Sequence, residues 1–353
     1  MGKKVVLAYS GGLDTSVAIK WLNERGWEVI TLTVDLGGPK NLKEVKEKAL
    51  KLGAKKAILV DARDLFVRYF VFPALQAGAL YEGAYPLATA LGRPLIAKLL
   101  SEVAEEEGAE AVAHGCTGKG NDQVRFEVSL QALAPHLEVI APVREWGMTR
   151  QEEIEYAQAH GIPVEATKKS PYSVDENLWG RSIECGVLED PWIEPPEEVF
   201  QWTKSVDEGP NKPETIELGF EKGIPFRLSR EYLDGVHLIT ELNHLGGLHG
   251  VGRIDHVENR VVGIKSREIY EAPAAVILHK AHKALESLVM TKDALRFKDT
   301  VATQYADLIY NGFWFSAFHL DLVAYVLSTQ RLVTGTVKVK LSKGNAKVEG
   351  RKS

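Results

Sequence analysis

Five short apolar runs, at positions 5–9, 29–34, 57–60, 111–114 and 139–142, alternate in the first half of the chain with longer stretches of helical periodicity. The helical patterns lie at 14–25 (Val17, Ile19, Trp21 and Leu22 inward), 41–52, 65–79, 94–107 and 149–160. A strand apolar at every position, rather than every second one, is buried on both faces. Strands joined through helices run parallel. This rhythm predicts an α/β fold with a parallel sheet covered by helices on both sides.

The rhythm breaks near residue 165. Positions 168–213 are rich in Pro, Gly, Trp and charge, including Pro191, Pro195, Pro196, Pro210 and Pro213, which is loop punctuation. Strand-like runs follow at 215–220 and 261–264, helical patterns at 274–290 and 317–328, and an alternating run at 334–341 with its lysines outward. The expectation is two domains, residues 1–167 and an α+β unit of residues 168–353. A chain of 353 residues suits that count at about 150 residues per domain.

Composition narrows the function classes. With 43 basic and 48 acidic residues the net charge is −5, against a broad nucleic-acid-binding face. No apolar run approaches the roughly 18 residues of a membrane span, so no membrane association is expected. Cys116 and Cys185 form no CxxC or Cys/His metal spacing, and the first residues carry no secretory pattern, which points to a reducing cytoplasm.

The first apolar run ends in Ala8, Tyr9, Ser10, Gly11, Gly12, Leu13, Asp14, Thr15 and Ser16, and a helical pattern begins at once. Small residues there let backbone N–H groups meet an anion, and the first helical turn favours negative charge. The plain alternative is an ordinary strand-to-helix turn capped by Ser and Asp. No GxxxxGK[ST] or GxGxxG string occurs, which disfavours γ-phosphate transfer and dinucleotide chemistry. The string resembles the Ser-Gly-Gly-x-Asp-Ser/Thr-Ser pyrophosphate loop of ATP pyrophosphatases, which cleave ATP to AMP and pyrophosphate. A second glycine-rich loop, residues 113–127, follows a later strand, with Asp122 and Arg125 three apart on one helical face.

Both loops resemble those of the argininosuccinate synthase family. So do residues 79–82 with Tyr85, Arg93 with Pro94, and the segments 173–177, 250–255, 257–260 and 265–271, in colinear order. The resemblance implies an adenine nucleotide alpha hydrolase-like parallel-sheet domain followed by a synthetase domain. It also implies ATP-dependent joining of L-citrulline to L-aspartate through a citrullyl-adenylate, with AMP and pyrophosphate released, in arginine biosynthesis. Mg²⁺ is expected with ATP, in a cytoplasmic homotetramer.

Carried over by position, the resemblance assigns ATP to Ala8, Tyr9, Ser10, Gly11, Gly12, Leu13, Asp14, Thr15 and Ser16, with Val34 near the adenine and Gly115 as a further contact. Aspartate meets Thr117, Asn121 and Asp122. Citrulline meets Tyr85, Asn121, Arg125, Ser173, Ser182, Glu258 and Tyr270, in a cleft between the domains. No protein metal ligands are implied. Ala90 stands where the family often has Ser at a citrulline contact, and family members usually continue past position 353 into a helix that reaches neighbouring subunits.

Other features read as structural: Cys116 as a small loop residue, and His279 with His282 as a solvated helix face. Trp192, Trp202, Phe313, Trp314 and Phe315 read as packing residues, and Lys338, Lys340, Lys343 and Lys347 as protection for a strand edge. A tRNA-modifying adenylating enzyme would use a similar first loop but wants a basic surface. A non-catalytic nucleotide sensor would leave the second-domain motifs without a purpose.

Overall fold

The computed structural model describes residues 2–38, 41–118, 120–163 and 171–353. The chain forms two compact units. One comprises Met1–Ala62, Arg93–Ser170 and Asn311–Phe315, and the other Arg63–Gly92, Pro171–Tyr310 and Ser316–Ser353.

The first unit is built on a five-stranded parallel sheet. Across it the strands run Lys56–Asp61, Trp27–Asp35, Lys3–Ala8, Ala111–Ala113 and Glu138–Ile140. The first strand is central, with Val5 level with both Val29 and Ala111. Its apolar residues serve two cores in turn. Val5 and Leu7 pack on one face with Val17, Trp21 and Leu22 of the helix Leu13–Glu24. Val6 packs on the other with Leu100, Phe126 and Leu130. Burial on both faces is the physical reason these runs show no polar alternation.

Strand order reverses on either side of Lys3–Ala8, toward Trp27–Asp35 one way and Ala111–Ala113 the other. Such a switch point leaves a crevice outside the carboxyl ends of the strands, where open α/β sheets take their ligands. Both glycine-rich loops leave the sheet there.

The second unit has two sheets, antiparallel throughout. One orders Glu231–Tyr232, Ile224–Leu228, Glu214–Glu221, Gly335–Ser342 and Asn345–Lys352. The other orders Arg253–Asn259, Lys265–Glu271, Gly180–Glu184 and Ser173–Asn177. Helices Gly235–Leu248, Pro273–Val289, Lys292–Tyr310 and Ala317–Gln330 belong to the same unit. So does the helical stretch Arg63–Ala77, which passes through one wide π turn at Val67–Val71.

Several readings change at this level. Residues 261–264, expected as a strand, form the turn between Arg253–Asn259 and Lys265–Glu271, with Gly263 at φ 84°. His279 and His282 are not on a solvated face. His282 is buried, its Nε2 2.8 Å from Gln330 Oε1, beside the ion pair of Lys298 with Glu286 at 2.9 Å. Trp192, expected to pack, is 95% exposed. The alternating strand Gly335–Ser342 does turn Val337, Val339 and Leu341 inward, but it is internal to its sheet. Lys338 and Lys340 therefore guard no edge. They pair with Glu217 and Glu349 on the neighbouring strands.

Candidate active site

The loop after the central strand is held open. Gly11 takes φ 80°, a left-handed conformation that suits glycine. Its carbonyl accepts from Lys48 Nζ at 2.8 Å. Ser10 Oγ lies 3.2 Å from Thr15 Oγ1 and accepts from the Gly12 N–H at 3.3 Å, while Tyr9 OH lies 3.1 Å from Ser16 Oγ. Gly12 is the cap residue of the helix Leu13–Glu24 and supplies no side-chain cap. A helix start left without a side-chain cap is an anion site in waiting. Asp14 in the first turn is turned to Arg150 at 2.5 Å. Val34 lies near the end of the adjacent strand, where Thr33 Oγ1 donates to the Tyr9 carbonyl at 2.9 Å.

The second loop meets the first. A Cβ on Gly115 would stand 2.7 Å from Thr15 Cγ2, so only glycine lets the two loops approach so closely. His114, buried just before it, accepts the Cys116 N–H on Nδ1 at 3.2 Å. Burial, opposed by Glu127, pushes its pKa down to about 4, which leaves it neutral at pH 7. Thr117 is exposed, and Asn121 precedes the helix Asp122–Leu133.

Asp122 and Arg125 share a face of that helix and are paired at 3.0 Å, with the Arg125 side chain only 4% exposed. Arg93 closes on the same carboxylate at 2.7 Å. The two guanidinium groups overcome the penalty of burial and hold the Asp122 pKa below the usual carboxylate range. A surface ion pair was the plain alternative here; the pair is instead largely buried and three-membered.

In the second unit, strand register gathers the remaining candidates on one face. Ser182 is level with both Tyr270 and Asp175, and Ser173 with Glu184. Alternation along a strand then puts Ser173, Ser182, Tyr270 and Glu258 on the same side of the four-stranded sheet. The opposite side is filled by Ile183, Leu188, Val199 and Ile269. There the buried Glu271 accepts from the backbone N–H groups of Gln201, Trp202 and Thr203 and from Arg181. One face is thus fixed and the other is free to be chemical.

On the chemical face, Tyr270 OH donates to Glu258 Oε2 at 2.5 Å, and the Tyr270 ring stacks on Tyr85 at 4.2 Å. Burial raises the Tyr270 pKa well above its ordinary value, so the phenol stays a donor. Tyr85 OH accepts from the N–H groups of Thr89 and Ala90, at 3.0 and 3.4 Å. Ala90 is itself fully buried and offers only its backbone. Arg260 joins Glu184 and Glu268, the latter at 2.8 Å. Burial, aided by the Glu184 and Glu258 carboxylates, pushes the Glu268 pKa up to about 8.

Four neighbours of the candidates were given no role from the sequence: Lys48, Arg93, Tyr81 and Tyr310. Arg93 and Tyr81 lie in the resembling segments Arg93–Pro94 and 79–82. Lys48 looks like any lysine of an amphipathic helix, and Tyr310 sits in no motif.

A parallel sheet whose central strand runs through a small-residue bend into an uncapped helix defines a nucleotide-binding domain of the ATP pyrophosphatase (HUP) class. The family model described as the arginosuccinate synthase N-terminal HUP domain matches residues 4–163, and the arginosuccinate synthase C-terminal domain matches residues 172–353. The chain belongs to the argininosuccinate synthase family, and is a ligase that joins citrulline to aspartate at the expense of ATP in arginine biosynthesis.

Argininosuccinate synthase of Dehalococcoides mccartyi (strain CBDB1) is 60% identical over 354 residues, covering 100% of this chain and 87% of its own length. That of Geobacillus kaustophilus (strain HTA426) is 61% identical over 350 residues, covering 99% and 86%. Among solved structures, a 4-thiouridine synthetase–RNA complex with bound ATP aligns over 45% of this chain and 41% of its own, at 22% identity and a TM-score of 0.33. Among the described residues, no helix is long and apolar enough to cross a membrane.

Proposed function

We propose that the ligation proceeds through a citrullyl-adenylate. The ureido oxygen of citrulline attacks the α phosphorus of ATP, the bond to the β phosphate breaks, and pyrophosphate leaves. The aspartate amine then adds to the activated carbon, AMP leaves with the former ureido oxygen, and the amine loses its proton. A ureido carbon is a poor electrophile, and AMP turns its oxygen into a good leaving group. No covalent protein nucleophile is needed, only positioning and charge stabilisation.

In this reading Ala8, Tyr9, Ser10, Gly11, Gly12, Leu13, Asp14, Thr15 and Ser16 receive the phosphates, with Val34 and Gly115 beside the nucleotide. Thr117, Asn121 and Asp122 serve aspartate. Asn121, Arg125, Tyr85, Ser173, Ser182, Glu258 and Tyr270 serve citrulline, Arg125 toward its carboxylate and Glu258 toward its α-ammonium. Asp122 shares its charge with Arg93 and Arg125, so it orients rather than deprotonates. The observation that carries the reading is the helix Leu13–Glu24, left without a side-chain cap at the carboxyl end of the central strand.

Mg²⁺ is assigned to the triphosphate. There it would neutralise phosphate charge. Two cysteines, Cys116 and Cys185, are too few for a disulfide framework, which suits a reducing cytoplasm. A homotetramer is the assembly inferred.

The test is pyrophosphate release with each substrate omitted in turn. Release requires ATP and citrulline together, and full turnover requires aspartate as well. Equal release from ATP alone would defeat the adenylate reading.

A further inference from the structure

We propose that Tyr310 is a positioning residue that fixes the Glu258 carboxylate for an α-ammonium group. The inference rests on the reading of Glu258 as the partner of the citrulline ammonium, and extends it to a residue that no motif marks. Tyr310 ends the helix Lys292–Tyr310, and its OH donates to Glu258 Oε1 at 2.5 Å. Tyr270 donates to the other oxygen, Oε2, also at 2.5 Å. Each carboxylate oxygen is thus held by one phenol and keeps its second lone-pair direction for a ligand N–H.

The holding is rigid on both sides. The Tyr310 ring stacks on Tyr81 at 3.6 Å with the planes 5° apart, and Tyr270 stacks on Tyr85 at 4.2 Å and 10°. Tyr81 OH donates to the carbonyl of Asn259, the residue after Glu258, at 2.7 Å. One stacked pair therefore fixes Glu258 twice, through its side chain and through its strand. Two flat rings in contact leave little rotamer freedom, which is what a group that must meet a ligand in one orientation needs.

The charge is unbalanced in the way a ligand would correct. Glu258 is 3% exposed. Among the described residues its carboxylate has only the two neutral phenols as hydrogen-bond partners, and its neighbour Glu268 is another acid, which brings no positive charge. A buried carboxylate without a cation is costly unless one arrives. An α-ammonium is a cation of the right size.

Tyr310→Phe keeps the ring and its stack and removes one donor. The expected result is a rise of about tenfold in the citrulline KM, the loss that follows removal of a hydrogen bond to a charged group. The KM values for ATP and aspartate stay within twofold, as does kcat. Inhibition by 5-ureidopentanoate, which is citrulline without its α-amine, stays the same in both proteins. Citrulline KM unchanged in Tyr310→Phe, or 5-ureidopentanoate weakened as much as citrulline, would overturn the proposal. Glu258→Gln separates the two readings. If it raises the citrulline KM while Tyr310→Phe does not, only the positioning inference falls; if it leaves the citrulline KM unchanged, the reading of Glu258 falls first.

Discussion

Arg125 carries its charge in a nearly closed environment, and its loss has a definite expected effect. Its side chain is 4% exposed, and Asp122 answers it at 3.0 Å. Deleting one partner of a buried pair is usually severe because the other is stranded. Here Arg93 still holds Asp122 at 2.7 Å, so Arg125→Leu leaves a compensated carboxylate. The variant is expected to fold and to show a citrulline KM raised at least about tenfold, with the ATP KM little changed. Steady-state kinetics with each substrate varied checks this; parallel losses for both substrates would contradict the role given to Arg125.

At this scale the two loops were legible because their chemistry is contiguous. Ser10, Gly11 and Gly12 put the small-residue bend into three consecutive residues. The Tyr81, Tyr85, Glu258, Tyr270 and Tyr310 cluster was legible only in part, since its members are spread over more than two hundred positions and a tyrosine looks the same in a core as in a site.

Among the elements, the five parallel strands stand close to where the apolar runs put them, because burial of the inner strands keeps their middle residues apolar or small. Polar strands do not. Lys265–Glu271 reads Lys-Ser-Arg-Glu-Ile-Tyr-Glu, and its apolar neighbours Val261, Val262 and Ile264 drew the strand assignment into what is the turn. The buried face of the helix Pro273–Val289 was equally hidden, since histidines look solvated in sequence.

That helix carries a pH dependence. Burial lowers the pKa of both His279, to about 3, and His282. Around them stand Glu286 on the same helix, Lys298 on Lys292–Tyr310, Gln330 on Ala317–Gln330, and the ring of Trp179. A histidine near 6.5 when unfolded and near 3 when folded binds its proton more readily in the unfolded chain. Its stabilising contribution is therefore complete above about pH 6.5 and shrinks as pH falls toward 3, by at most about 1.4 kcal/mol per pH unit. Denaturant midpoints between pH 7.5 and 5 are expected to fall more steeply in the native protein than in His279→Gln. Parallel slopes would remove His279 from the account.

Over the whole molecule, the helix Ala317–Gln330 and the residues after it leave large apolar side chains in solvent, Leu320 at 63%, Leu327 at 53% and Leu332 at 68% exposed. Apolar surface of that kind is commonly covered by another chain. In keeping with the inferred homotetramer, sedimentation at micromolar concentration is expected to give a species of about four times 39.0 kDa. A monomer under those conditions would count against the assembly.

By itself the amino-acid order determined the parallel sheet, the two glycine-rich loops and the family, because each is written in residues close together along the chain. Only the tertiary structure decided that residues 63–92 pack with residues 171–310, that the strands from 173 to 271 share one chemical face, and that two pairs of stacked phenols enclose Glu258. Those features depend on which distant segments meet, and that is set by register and burial rather than by any local pattern.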